Sequence, residues 1–175
     1  MRPKTLISLS IIFVVLGSYV YFFELNSTDE VQSVPEPDKL ITVDPKEVEQ
    51  VRLKTEDDLF VFGKTDQNWM MTSPVRQDVM DSRVETLFSV FDYAYIREIS
   101  ADPTDLSIYG LDEPEIEFGF RLKGENAFTT LQIGDNSPYG INCYATFEHE
   151  PEVFLVGLLY KQVLDQNMAF FKTPP

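Results

Sequence analysis

Residues Glu115–Leu122 read EIEFGFRL. Ile116, Phe118, Phe120 and Leu122 fall at every second position, with Glu115, Glu117, Gly119 and Arg121 between them. A period of two places the first set on one face of an extended strand and the second set on the other. The pattern predicts a strand with one buried and one polar face, and it decides how the neighbouring segments are read.

Working towards the C-terminus, Lys123-Gly124-Glu125-Asn126 is a hairpin loop into a strand over Ala127–Ile133. Gly134 to Gly140 is rich in turn residues. Ile141, Cys143, Ala145 and Phe147 then share one strand face, with Asn142, Tyr144 and Thr146 on the other. Val153–Val156 is a short last strand and Leu158–Gln166 a closing helix.

Towards the N-terminus, Val48–Lys54 and Leu59–Gly63 flank the polar turn Thr55-Glu56-Asp57-Asp58, a hairpin signal. Asn68-Trp69-Met70-Met71 is a third strand, ended by Ser73-Pro74. The period then changes. In Asp81–Tyr95, Val84, Leu87, Phe88, Phe91 and Tyr95 recur at helical steps. Ser82 and Glu85 have the spacing of a capping box, and Asp81 adds negative charge at the start of the helix. Tyr95–Ser100 is extended. Asp102 is placed to cap a short helix beginning at Pro103, Gly110 to end it in the left-handed conformation, and Leu111 to fold back. Residues 48–95 and 115–166 thus look alike. The expected fold is α+β: an antiparallel sheet, or two sheets, built from two similar β-β-β-α units with helices packed on one face, over residues 39–175.

A different signal sits at the start. Thr5–Phe23, TLISLSIIFVVLGSYVYFF, contains no charged residue. As a helix it would be roughly 28 Å long, close to the hydrocarbon thickness of a bilayer. Arg2 and Lys4 precede it and the next basic residue is Lys39, so residues 1–4 are expected in the cytoplasm and everything after the anchor outside. A cleaved signal is the rival, but this apolar run is long and ends in large aromatics. Residues 24–38, with Pro35 and Pro37, read as a flexible tether.

The net charge is −15, from 14 basic and 29 acidic residues. Without the first 24 residues, which hold Arg2, Lys4 and Glu24, 12 basic and 28 acidic residues remain, a charge of −16. A nucleic-acid partner is not expected, because phosphate backbones are bound by Lys and Arg. Cys143 is the single cysteine, so no disulfide framework forms within the chain, and one Cys with one His cannot make a four-ligand zinc site.

No convergent catalytic set is visible, and neither a cofactor nor a metal is expected. His149 lies between Glu148 and Glu150, more in keeping with an exposed turn than with a general base. Cys143 falls on the apolar side of its strand, the position of a core thiol. The acidic pairs Glu56-Asp57-Asp58, Asp112-Glu113 and Glu115 with Glu117 occupy turns or a polar strand face, where solvation accounts for them. Tyr109, Tyr139 and Tyr144 are the candidate interaction residues, since Tyr is favoured at interfaces. Trp69 is expected in the core, and an edge strand offers a second docking route, by strand addition.

The N-terminal MRPKTL before an apolar helix, Asn68-Trp69 with Ser73-Pro74, and Tyr109-Gly110-Leu111-Asp112-Glu113-Pro114 together resemble a known set of proteins. Leu131-Gln132-Ile133-Gly134-Asp135 followed by Cys143-Tyr144-Ala145 extends the likeness. The chain resembles the membrane-anchored bacterial proteins of the domain of unknown function 4340 family. The resemblance implies an extracytoplasmic accessory subunit of an ABC-type export system, with a permease as the membrane-protein partner. It supplies no catalytic residues. Together the readings point to a non-enzymatic interaction protein in the bacterial inner membrane, held in the bilayer through residues 5–23 with a periplasmic domain. The alternatives are an envelope hydrolase using paired carboxylates and a binding module for a cationic ligand.

Overall fold

A computed structural model of the chain describes residues 38–65, 68–99, 105–150 and 152–172, together with positions 13, 16, 18 and 19, which are helical. The chain divides into two units, Met1–Glu36 and Pro37–Pro175, and the sheet and helices below belong to the second. The expected cytoplasmic stub, nearly all of the expected anchor, the tether up to residue 37 and the Asp102 cap lie outside the described residues. Among the described residues no helix is long and apolar enough to cross a membrane.

The strands are β1 (Val48–Lys54), β2 (Leu59–Thr65), β3 (Asn68–Ser73), β4 (Gln77–Asp78), β5 (Arg97–Ile99), β6 (Ile116–Leu122), β7 (Thr129–Asn136), β8 (Asn142–Phe147) and β9 (Val153–Gly157). They form one antiparallel sheet of nine strands in the order β4-β3-β2-β1-β6-β7-β8-β9-β5. Two four-stranded meanders, β1–β4 and β6–β9, therefore meet through their first strands. Each is followed in sequence by a helix, α1 (Asp81–Leu87) after the first and α2 (Leu159–Leu164) after the second. A last short helix, α3 (Met168–Phe171), closes the described chain, with the Asn167 side chain accepting from the Ala169 N–H.

The alternation seen in Glu115–Leu122 runs across the whole sheet. Leu53 stands opposite Phe60 on one side and Phe118 on the other, Phe118 opposite Leu131, and Leu131 opposite Phe147. All five are buried. The helices cover this face. Phe88 meets the rings of Phe118 and Phe120 edge-on at 5.2 and 5.7 Å, and Phe91 approaches the same two at 6.0 and 5.7 Å, the geometry favoured by aromatic quadrupoles. The buried Tyr160 of α2 donates its hydroxyl to the Tyr93 carbonyl at 2.9 Å. A buried hydroxyl needs such a partner.

The structure departs from the sequence reading in three places. The predicted helix over Asp81–Tyr95 is α-helical only to Leu87 and continues as a 3-10 helix over Phe88–Asp92. Tyr93 is extended and the Tyr95 N–H donates to the Asp38 carbonyl, so the chain has left the helix before Tyr95. The predicted capping box does not form: Met80 is the N-cap, without a side-chain cap bond. The Asp81 carboxylate instead accepts the Trp69 backbone N–H at 2.7 Å, tying α1 to β3. The turn predicted from Gly134 begins later, because β7 runs on to Asn136 through a bulge between Ile133 and Asn136. Asn136 pairs with Cys143, and the Ser137 N–H bonds the Asn142 carbonyl.

Candidate functional site

The segment Ser107–Tyr109 is one 3-10 turn, ended by Gly110 at φ 65°. The Gly110 N–H bonds the Ser107 carbonyl and the Leu111 N–H bonds the Leu106 carbonyl, so the chain doubles back and buries Leu111. Gly110 can occupy the left-handed region because it has no Cβ.

This turn lies directly on β7. A methyl group at position 134 would sit 2.2 Å from the Tyr109 carbonyl oxygen and 2.8 Å from that of Gly110. Only glycine allows two backbones to approach so closely. On the other side of the contact, the Asp135 carboxylate lies against Gly110. Of the stretches that carried the resemblance, Tyr109–Pro114 and Leu131–Asp135 are thus the two halves of a single backbone contact.

The contact positions the candidate residues. The Tyr109 ring meets the Tyr144 ring at 4.9 Å, edge to face. Tyr144 is on the side of β8 opposite the core-facing Cys143 and Ala145, so the pair stands on the face of the sheet that the helices leave open. Tyr139 is 88% exposed in the β7–β8 turn, and among the described residues no ring contact joins it to the pair. Next to these residues, Ile108 and Ile141 are 65% and 66% exposed. The sequence reading named the three tyrosines, gave Ile108 no role, and put Ile141 on the strand face of Cys143, Ala145 and Phe147; β8 begins only at Asn142, so Ile141 falls in the turn and is exposed.

The remaining candidates for chemistry fall apart spatially. Glu115 pairs with Lys161 at 2.6 Å, while Glu117 pairs with Lys54. His149, 89% exposed by its side chain, lies 3.7 Å from Glu148 and has a φ of 70°. Trp69 is buried in the core with Lys64 over its ring at 4.7 Å. The Lys64 pKa is lowered, first by burial and then by Lys123. Among the described residues no group of three or more His, Cys, Asp or Glu is placed to hold a metal ion.

Cys143 is fully buried, and burial pushes its thiol pKa up to about 11. The thiolate is the reactive form, so alkylation by iodoacetamide at pH 8 is expected to be slow in the folded protein and fast in 6 M guanidinium, on the order of a hundredfold faster. Mass spectrometry of the modified chain measures both rates. The sign for stability follows from protons held: between the ordinary pKa of 9.0 and about 11 the folded chain keeps a proton that the unfolded chain releases. Stability contributed by this group is complete below pH 9 and is lost as the pH rises through 11.

A concavity lies on the open face over β2, β1, β6 and β7, with Arg52, Leu59, Val61, Gly119, Phe128 and Glu148 among its walls. The sequence reading did not find it. The available signal is Gly119, a gap in the outward row of an otherwise well-filled strand.

Comparison with family models returns a match over residues 69–173 to a domain of unknown function, DUF4340. The chain belongs to the DUF4340 family. The matched span contains the Tyr109–Pro114 turn, Gly134 and Tyr144, so the backbone contact and the tyrosine pair both lie within the DUF4340 region. The MRPKTL start and Asn68 precede it. Comparison with curated proteins and with solved structures gives no match.

Proposed function

We propose that this DUF4340 chain is a non-enzymatic, single-pass envelope protein whose domain docks onto another membrane protein. Thr5–Phe23 is its anchor, with residues 1–4 in the cytoplasm, residues 24–38 as tether and residues 39–175 in the periplasm. Support for the anchor comes from 19 consecutive uncharged residues behind Arg2 and Lys4. Phe13 and Leu16, helical and exposed, are apolar side chains that lipid would cover. The mirror order of the two meanders around β1 and β6 supports a domain built from two related halves, each with four strands before its helix rather than the three of a β-β-β-α unit.

The observation that carries the docking reading is that Ile108, Tyr139 and Ile141 are uncovered apolar side chains on the two segments joined by Tyr109 and Tyr144. Interfaces are enriched in aromatic residues, and hot spots in Trp, Tyr and Arg. The partner class in this proposal, the permease of an ABC-type export system, is what the resemblance implies.

Two measurements test this. After carbonate washing the full chain is expected in the membrane pellet, and deletion of residues 1–23 should release it. A photo-crosslinking amino acid at position 139 should capture a multi-spanning permease, whereas one at exposed position 76 should not. Permease adducts from position 76 alone, or from neither position, would remove the docking reading.

A further inference from the structure

The groove on the open face of the sheet has a volume of about 540 Å3, within the range of small-molecule sites. Gly119 lies in its floor, where the Phe128 ring and the Thr130 hydroxyl pack at 3.5 and 3.4 Å from the place a Cβ would take. Leu59, 49% exposed, and the half-buried Val61 make one apolar side. Phe128 makes another, and the Arg52 guanidinium rests over its ring at 4.0 Å.

The cations here differ in one respect. Lys54 is paired with Glu117 and Arg121 with Glu49. For Arg52, among the described residues, no carboxylate lies within ion-pair distance. A guanidinium stacked on an aromatic ring keeps its N–H edges available, and their fork matches a carboxylate. Glu148, also in the groove wall, has among the described residues one ion-pair partner, the exposed His149 at 3.7 Å. The groove thus offers one uncommitted positive group, one weakly committed negative group, and apolar surface shared with both.

The −15 charge of the chain decides between ligand classes. The field of a strongly acidic protein disfavours the approach of free anions. A ligand that brings a carboxylate to Arg52 gains from carrying a cation as well, and Glu148 is placed in the same groove to receive it. We propose that this groove binds a short apolar peptide with free termini, its carboxylate on Arg52, its ammonium on Glu148 and its side chains against Leu59, Val61 and Phe128. The site is separate from the tyrosine cluster, so the failure of either reading leaves the other standing.

The probe is trileucine, titrated calorimetrically into the full chain in nanodiscs, with empty nanodiscs as reference. N-acetyl-trileucine lacks the ammonium and trileucine amide lacks the carboxylate. Saturable binding of the free peptide is expected, with each blocked form at least about tenfold weaker, the ratio set by one charge-assisted contact. Arg52→Gln should abolish the preference for the free carboxylate while keeping that for the free ammonium, and Glu148→Gln should do the reverse. Both side chains are on the surface, so the variants should fold, which circular dichroism checks. No saturation, equal binding of the blocked peptides, or both preferences surviving in either variant would overturn the proposal.

Discussion

Phe171→Ala lowers the free energy of unfolding by about 3–5 kcal/mol, the usual result of emptying a buried aromatic position. Phe171 belongs to a helix of only four residues, which cannot hold itself together by backbone hydrogen bonds. Its ring anchors that helix: it is fully buried, 5.1 Å from Phe60 and 4.8 Å from Phe62. Removing it opens a cavity over β2 and frees the end of the chain. Midpoint temperatures of the variant, followed by circular dichroism, should fall by roughly 10–20 °C for a domain of this size. Phe171→Leu, which keeps most of the volume, should lose less than half as much. A loss below 1 kcal/mol for the alanine variant would mean that α3 does not seat on the sheet.

The second large effect is expected at Gly134. Gly134→Ala adds one methyl group, yet places it 2.2 Å from a backbone oxygen of the Ser107–Tyr109 turn. Neither backbone is a flexible side-chain end that could step aside. The cost expected is about 2–3 kcal/mol, the upper part of the range for overpacking. Its signature is uneven: hydrogen exchange at the Gly110 and Leu111 amides, which close the turn, should accelerate most, while that of β1 to β3 rises only as far as the loss of global stability requires. Gly63→Ala is the control, since a Cβ there meets nothing within 4 Å, and it should be nearly neutral. Equal effects at both positions would show that the turn does not rest on β7. The Gly134 variant also bears on docking, because the Tyr109–Tyr144 contact depends on the same seat.

Local periodicity explains how much of this fold could be anticipated. A strand with one face in the core must alternate, so Ile116, Phe118 and Phe120 declared their face before any tertiary contact was known. Gly110 declared the end of its turn for a similarly local reason, a backbone angle that other residues adopt at a cost. The 3-10 continuation over Phe88–Asp92 was not visible, because Val84, Leu87, Phe88 and Phe91 suit either kind of helix over a single turn. Asp81 does stand in the first turn of its helix, but its bond to the Trp69 N–H could not be read, because that partner comes from another strand. Nor could α3 be found from four residues without a period.

The candidate site divides along the same line. Three tyrosines were legible as residue types suited to an interface, yet only folding joined Tyr109 to Tyr144 and left Tyr139 apart. The sequence alone determined the face of each long strand, the hydrocarbon-length apolar segment, the strong negative charge and the family motifs, since each is a property of consecutive residues. Tertiary structure decided that the strands make one sheet rather than two and that β1 and β6 meet at its centre. It also decided that Gly134 receives the Tyr109 turn and that Arg52, beside Gly119, has no ion-pair partner among the described residues. These are contacts between segments far apart in the chain, and no local pattern encodes which segment will arrive.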